Sequence, residues 1–97
     1  FHNTTGYSNV AVGAQALFSD TAVSRLVAVG DSAMYHNTTG WANTAIGYKA
    51  LFSNNSGYTN VAFGYEALNL NSSGNFNAAT GVQALAFNTT GIANTAN

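Results

Sequence analysis

Few side chains in this sequence could do acid–base or metal chemistry. There are three acids, Asp20, Asp31 and Glu66, and two histidines, His2 and His36. Hydrolytic and transfer chemistry needs titratable groups in working pairs: two carboxylates, or a nucleophile with a base in reach. No such pair stands out, and no glycine-rich loop carries the lysine of a phosphate-binding motif. Catalytic, metal and cofactor sites are therefore read as none, and the chain as not an enzyme. What recurs instead is asparagine. Asn3, Asn37, Asn54, Asn71 and Asn88 each open an N-x-S/T sequon, the acceptor pattern for N-linked sugar. The other reading of this set is that asparagine and threonine are there as turn formers. Asn9, Asn43, Asn60, Asn77 and Asn94 make a second set. Tyr7, Trp41 and Tyr58 each follow a glycine, Tyr48 and Tyr65 share another position, and Phe1, Phe18 and Phe52 a third. Exposed aromatic rows could stack a sugar or meet a host surface, and equally could pack between chains or over the fold.

These residues recur because the whole sequence does. Residues 37–53 read NTTGWANTAIGYKALFS, residues 54–70 NNSGYTNVAFGYEALNL, and residues 71–87 NSSGNFNAATGVQALAF. Residues 3–19 are a further copy, residues 88–97 open another, and residues 20–36, DTAVSRLVAVGDSAMYH, are a degenerate copy in register. The pitch is 17 residues throughout, without insertion, and fixed-period self-similarity marks a repeat architecture. Residues 1–97 are read as one repeat domain and as a piece of a longer protein. Coil one is 3–19, coil two 20–36, coil three 37–53, coil four 54–70, coil five 71–87, and coil six the partial 88–97.

Composition narrows the function classes. Charged residues are 5 % of the chain and the formal net charge is −1, which gives no basic face for nucleic acid and no polybasic membrane patch. No apolar run approaches the ~20 residues of a membrane helix. Cysteine is absent, so no disulfide staples the domain, and stability must come from stacking or from neighbouring chains. Polarity carried by Asn, Ser and Thr suits a neutral surface outside a cell.

A period of 17 is too short for helical-hairpin repeats, and glycine, asparagine and β-branched residues oppose helices. Residues 47–52, GYKALF, could at most make one helical turn. A strand fits better. In NTAIGY, Thr44, Ile46 and Tyr48 face one way and Asn43, Ala45 and Gly47 the other. Across the copies one face is bulky and the other is Ala and Gly. The expected fold is all-β, a parallel β-solenoid with one 17-residue coil per repeat, each coil holding two short strands and two bends. Stacked coils repeat every ~4.8 Å, which separates His2 and His36 by about 10 Å, too far for one metal ion. The Ala/Gly face either lies against neighbouring chains on a common axis, for which it looks made, or fills a narrow coil interior. The sequon asparagines, placed in turns, are expected to be exposed in one column. The second asparagine set is expected to be a structural ladder of stacked amides. Coil two concentrates Asp20, Arg25 and Asp31, as a contact site, a break in the rod, or drift with an Arg–Asp surface pair.

NTAIGYKAL and NVAFGYEAL resemble the SVAIG-type repeats of trimeric autotransporter adhesin heads (YadA-like). They are also similar to the NTAVGYQAL…NTTG arrays of phage tail-fibre-like and bacterial surface proteins. The resemblance covers the whole chain, weakly in residues 20–36, although the adhesin repeats are shorter. It implies a left-handed parallel β-roll, a homotrimer, and a stalk or fibre carried away from a cell or virion surface. The function expected is a structural and adhesive segment of an extracellular fibre or adhesin head, a rigid spacer presenting loops to a surface or host. Two other readings stand beside it: a subunit of a cell-surface filament polymerised head to tail, and a carbohydrate- or receptor-binding module using Tyr7, Trp41 and Tyr58. The partners are then further copies of the chain and a host-surface glycan or protein, with no nucleic acid and no membrane insertion in this segment.

Overall fold

A computed structural model describes residues 5–20 and 22–97. Six short strands, β1 (Val10–Val12), β2 (Val27–Val29), β3 (Thr44–Ile46), β4 (Val61–Phe63), β5 (Ala78–Thr80) and β6 (Thr95–Ala96), form one sheet in the order β1-β2-β3-β4-β5-β6. Every pairing is parallel, and each residue faces the one 17 positions on, as in Ala28↔Ala45 and Ile46↔Phe63. The chain is thus a β-solenoid of about five turns, 33 Å in its longest dimension. Constant pitch is the condition for this register, because one added residue would turn a strand's outer face inward.

Each coil has one strand rather than the expected two. The remainder is neither extended nor helical. In residues 47–54, Ala50 N donates to Gly47 O, Phe52 N to Lys49 O and Asn54 N to Leu51 O, so turns follow each other in tandem. Lys49 and Leu51 take φ of 55° and 51°, at the third residue of the first two turns, where a type II turn needs positive φ. For leucine this conformation is uncommon and costs roughly 1–2 kcal/mol. It is held because it aims amides between coils. Leu51 N donates to Ala67 O at 3.0 Å, and Lys49 N to Asp31 O at 3.0 Å. The same holds for Leu17, Met34 and Leu68, whose N–H groups reach Ala33, Ala50 and Ala84 carbonyls. Gly47 bends the chain out of the strand at φ 130°, and a Cβ there would lie 2.5 Å from Gly64 O.

The interior decides which strand face is which. Ala28, Ala45, Ala62 and Ala79 are 0 % exposed, packed with Ala33, Ala50, Ala67, Met34, Leu51 and Leu68. The small face therefore fills the coil of a single chain, which corrects its placement against neighbouring chains. On the strand side the interior takes only the methyl groups of the alanines, and across from them lie Met34, Leu51 and Leu68. The bulky face turns outward, with Val12 56 % and Phe63 54 % exposed.

Candidate functional site: two buried amide ladders and the aromatic columns

The sequon asparagines are inside the rod. Asn37, Asn54 and Asn71 are 0 % exposed, and Asn88 is half-buried. Asn54 Nδ2 donates to Asn37 Oδ1 at 2.8 Å, Asn71 Nδ2 to Asn54 Oδ1 at 2.9 Å, and Asn88 Nδ2 to Asn71 Oδ1 at 2.9 Å. Each also donates to the glycine carbonyl three residues on, as Asn54 does to Gly57 O at 2.9 Å. This overturns the expected exposure. The turn wraps around its own first side chain, and the hydroxyl residues after it take the surface. Nδ2 is the atom a glycan would occupy, and at Asn54 and Asn71 it has two acceptors in the interior. Asn3 lies outside the described residues.

The second column runs alongside. Asn60 N donates to Asn43 Oδ1 at 2.8 Å, Asn77 N to Asn60 Oδ1 at 3.0 Å, and Asn94 N to Asn77 Oδ1 at 2.9 Å. Their Nδ2 groups reach up to the next coil's glycine: Asn43 to Gly57 O at 2.7 Å, Asn60 to Gly74 O at 2.8 Å, Asn77 to Gly91 O at 2.7 Å. Gly57 O and Gly74 O thus each accept one amide from each column, filling both lone pairs. The two columns are zipped together through the turn glycines. At the same corner Thr38 N, Thr39 N and Gly40 N converge on Asn55 O at 3.0, 3.0 and 3.2 Å, a nest of backbone donors closed by the next coil. Asn9 begins the second column, with Leu26 N donating to Asn9 Oδ1 at 3.0 Å and Asn9 Nδ2 to Val23 O at 2.7 Å.

Coil two departs from all of this. Asp20 stands in the first amide column, Val23 replaces the turn glycine, and Leu26 replaces the second asparagine. Leu26 is fully buried but offers no oxygen to Asn43 N. Val23 N donates to Asp20 Oδ1 at 3.2 Å instead of joining a nest. Asp20 is fully buried, and its Oδ2 has no hydrogen-bond partner among the described residues. Burial pushes its carboxyl above the ordinary range, against the lowering effect of the Val23 N–H. Arg25 turns to Tyr7, its guanidinium carbon 5.7 Å from the ring centroid and Nη2 3.5 Å from the hydroxyl.

The aromatics stack along the rod. Trp41 and Tyr58 lie 5.0 Å apart at 1°, with Phe76 edge-on to Tyr58. Tyr48 stacks on Tyr65, and Phe18, Tyr35 and Phe52 form a continuous pile closed on its side by His36. Tyr35 and Phe76 were not among the aromatic columns read from sequence. Tyr35 shares the 17-residue position of Phe18, whereas Phe76 sits one position off its neighbours. Phe1 lies outside the described residues. Tyr7, 61 % exposed, is separated from Trp41 by the Ser24 rung, so the three candidate contact residues do not form one platform. Trp41 and Tyr58 each cover one face of the other. Among the described residues there is no concave pocket and no group of three metal-ligating side chains. His2 lies outside the described residues.

No protein-family model, no curated protein and no solved structure gives a significant match to the chain.

Proposed function

We propose that this chain is a structural segment of an extracellular fibre or adhesin head, with a mechanical rather than catalytic role, and that it works as a homotrimer. The observation that carries the proposal is the outward sheet face. Val10, Val12, Val61 and Phe63 are exposed on the outer face of the ladder, and none of the described residues covers them. An exposed apolar face of this kind calls for an apolar partner, and three copies turned inward about one axis would cover one another's faces. Sides 33 Å long and 17 to 22 Å wide approach the ~800 Å² per partner of a stable interface. Copies sharing that face would make a thicker, stiffer fibre and leave the hydroxyl-rich turns outward for contact with a host. The motif resemblance to adhesin heads and tail-fibre-like arrays supports the same reading, as does a surface made neutral and polar by Asn, Ser and Thr.

Light scattering tests it. The expected mass is near three times 10.0 kDa, falling to 10.0 kDa when Val61→Thr and Phe63→Thr are combined. A 10.0 kDa species for the unaltered chain at all concentrations contradicts the association.

A further inference from the structure

The first amide column has a direction. Each asparagine accepts at Oδ1 from the coil above and donates through Nδ2 to the coil below, as Asn71 does to Asn54 and Asn54 to Asn37. Asp20 occupies the next position down. There the pattern stops. Asn37 Nδ2 donates to Gly40 O, and Asp20 Oδ2 is buried without a partner among the described residues. A carboxylate at this position can accept but cannot donate. A carboxylic acid can do both, with Oδ2–H in place of the amide N–H. Neutral Asp20 is therefore an isostere of the asparagine that coils three, four and five use, whereas ionised Asp20 is an uncompensated buried charge.

We propose that Asp20 is a proton-binding joint in the rod: protonated, it regains the donor that each asparagine of the column turns to the carbonyl three residues on; ionised, it is a buried charge without a counter-charge and loosens the corner of coil two. No charged side chain is there to take the place of the proton. Within coil two, Arg25 is committed to Tyr7 and Asp31 is exposed at the opposite end of the coil. From coil three, His36 is exposed and its ring is held edge-on against Tyr35 and Phe52. Lys49 and Glu66 belong to coils three and four, and Lys49 lies over Tyr48 and Phe52. His2 lies outside the described residues. The displacement of the Asp20 carboxyl has only burial and the Val23 N–H as causes, with no charge among them.

The sign follows from linkage. Below the ordinary aspartate value of 3.8 both folded and unfolded chains carry the proton. As pH rises past 3.8 the unfolded chain ionises first while the folded rod keeps its proton, so stability falls until the folded carboxyl also ionises, and is flat above that. Acid thus tightens this joint, the reverse of the usual carboxylate effect.

Carbon-detected NMR of the Asp20 carboxyl, run as a pH titration of the folded chain, reads the proton directly, and melting of the wild type and of Asp20→Asn and Asp20→Ala reads its consequence. The expected results are a midpoint above 3.8, a wild-type Tm that falls across that window, and an Asp20→Asn Tm at pH 7 higher by about 4 °C or more. Asp20→Ala, which removes the charge but also the acceptor for Val23 N, should gain less than Asp20→Asn. A midpoint at or below 3.8, or an Asp20→Asn chain no more stable than wild type at pH 7, overturns the proposal.

Discussion

Coil two and coil four have the same length and the same strand, yet only one of them has a complete corner. In coil four, Asn54, Gly57 and Asn60 are joined to the coils on either side by hydrogen bonds of the asparagine side chains. In coil two the same positions are Asp20, Val23 and Leu26: the corner keeps the two hydrogen bonds with Asn9 of coil one and a turn capped by Asp20, but Leu26 has no side-chain oxygen for coil three. The other half of coil two is intact: β2 pairs with β1 and β3 in register, and Ala28, Ala33 and Met34 are fully buried. Each coil is thus built from two separable halves. An apolar half of strand, Ala and Leu sets the register and excludes water. A polar half of amides and glycine sets how tightly adjacent corners are bound.

Moving the coil-two residues into coil four should break that corner in graded steps. Gly57→Val is the most damaging. Any Cβ at Gly57 collides with Asn54 Oδ1 and Gly74 O, two groups of the zipped columns. A loss of at least about 3 kcal/mol is expected in chemical denaturation. At the equivalent position of coil two, Val23 turns its N–H to Asp20 Oδ1. Asn60→Leu comes next. It orphans Asn77 N and removes one donor from Gly74 O, and the leucine burial offsets only part of this. The expected cost is about 2 kcal/mol, read the same way. The reverse change, Leu26→Asn, is the smallest. It supplies an acceptor for Asn43 N but gives up a fully buried leucine, so the result should stay within about 1 kcal/mol of wild type. Equal costs for Asn60→Leu and Leu26→Asn would mean that the two corners do not differ as described.

The stack and its register were legible in the sequence, because a fixed 17-residue pitch admits few other solutions and the columns of Ala, Gly and Val already align. Which face points inward was not. Period-two alternation separates two faces, but here both are apolar, and size rather than polarity decides: only Ala45 and its equivalents fit the coil. The tandem turns were hidden because Leu51 and its equivalents take a backbone conformation that leucine rarely adopts. The burial of the sequon asparagines was misread because NTTG is a good surface turn, yet a signal was present. That position is Asn or Asp in every copy, whereas the next one drifts through Thr38, Asn55, Ser72 and Thr89. A side chain that answers to two neighbours is less free to change than one that faces water.

Asn54 and Asn55 put that contrast side by side in one turn. Asn54 is fully buried with Nδ2 on Asn37 Oδ1 and Gly57 O, while Asn55 is exposed. Hydrogen exchange of the two side-chain amides, followed by NMR in the folded chain, is the most direct test of the buried ladder. Protection of the Asn54 amide by at least about 100-fold over that of Asn55 is expected if its hydrogen bonds open only with the corner. Equal exchange at the two positions would contradict the ladder and return the sequon asparagines to the surface.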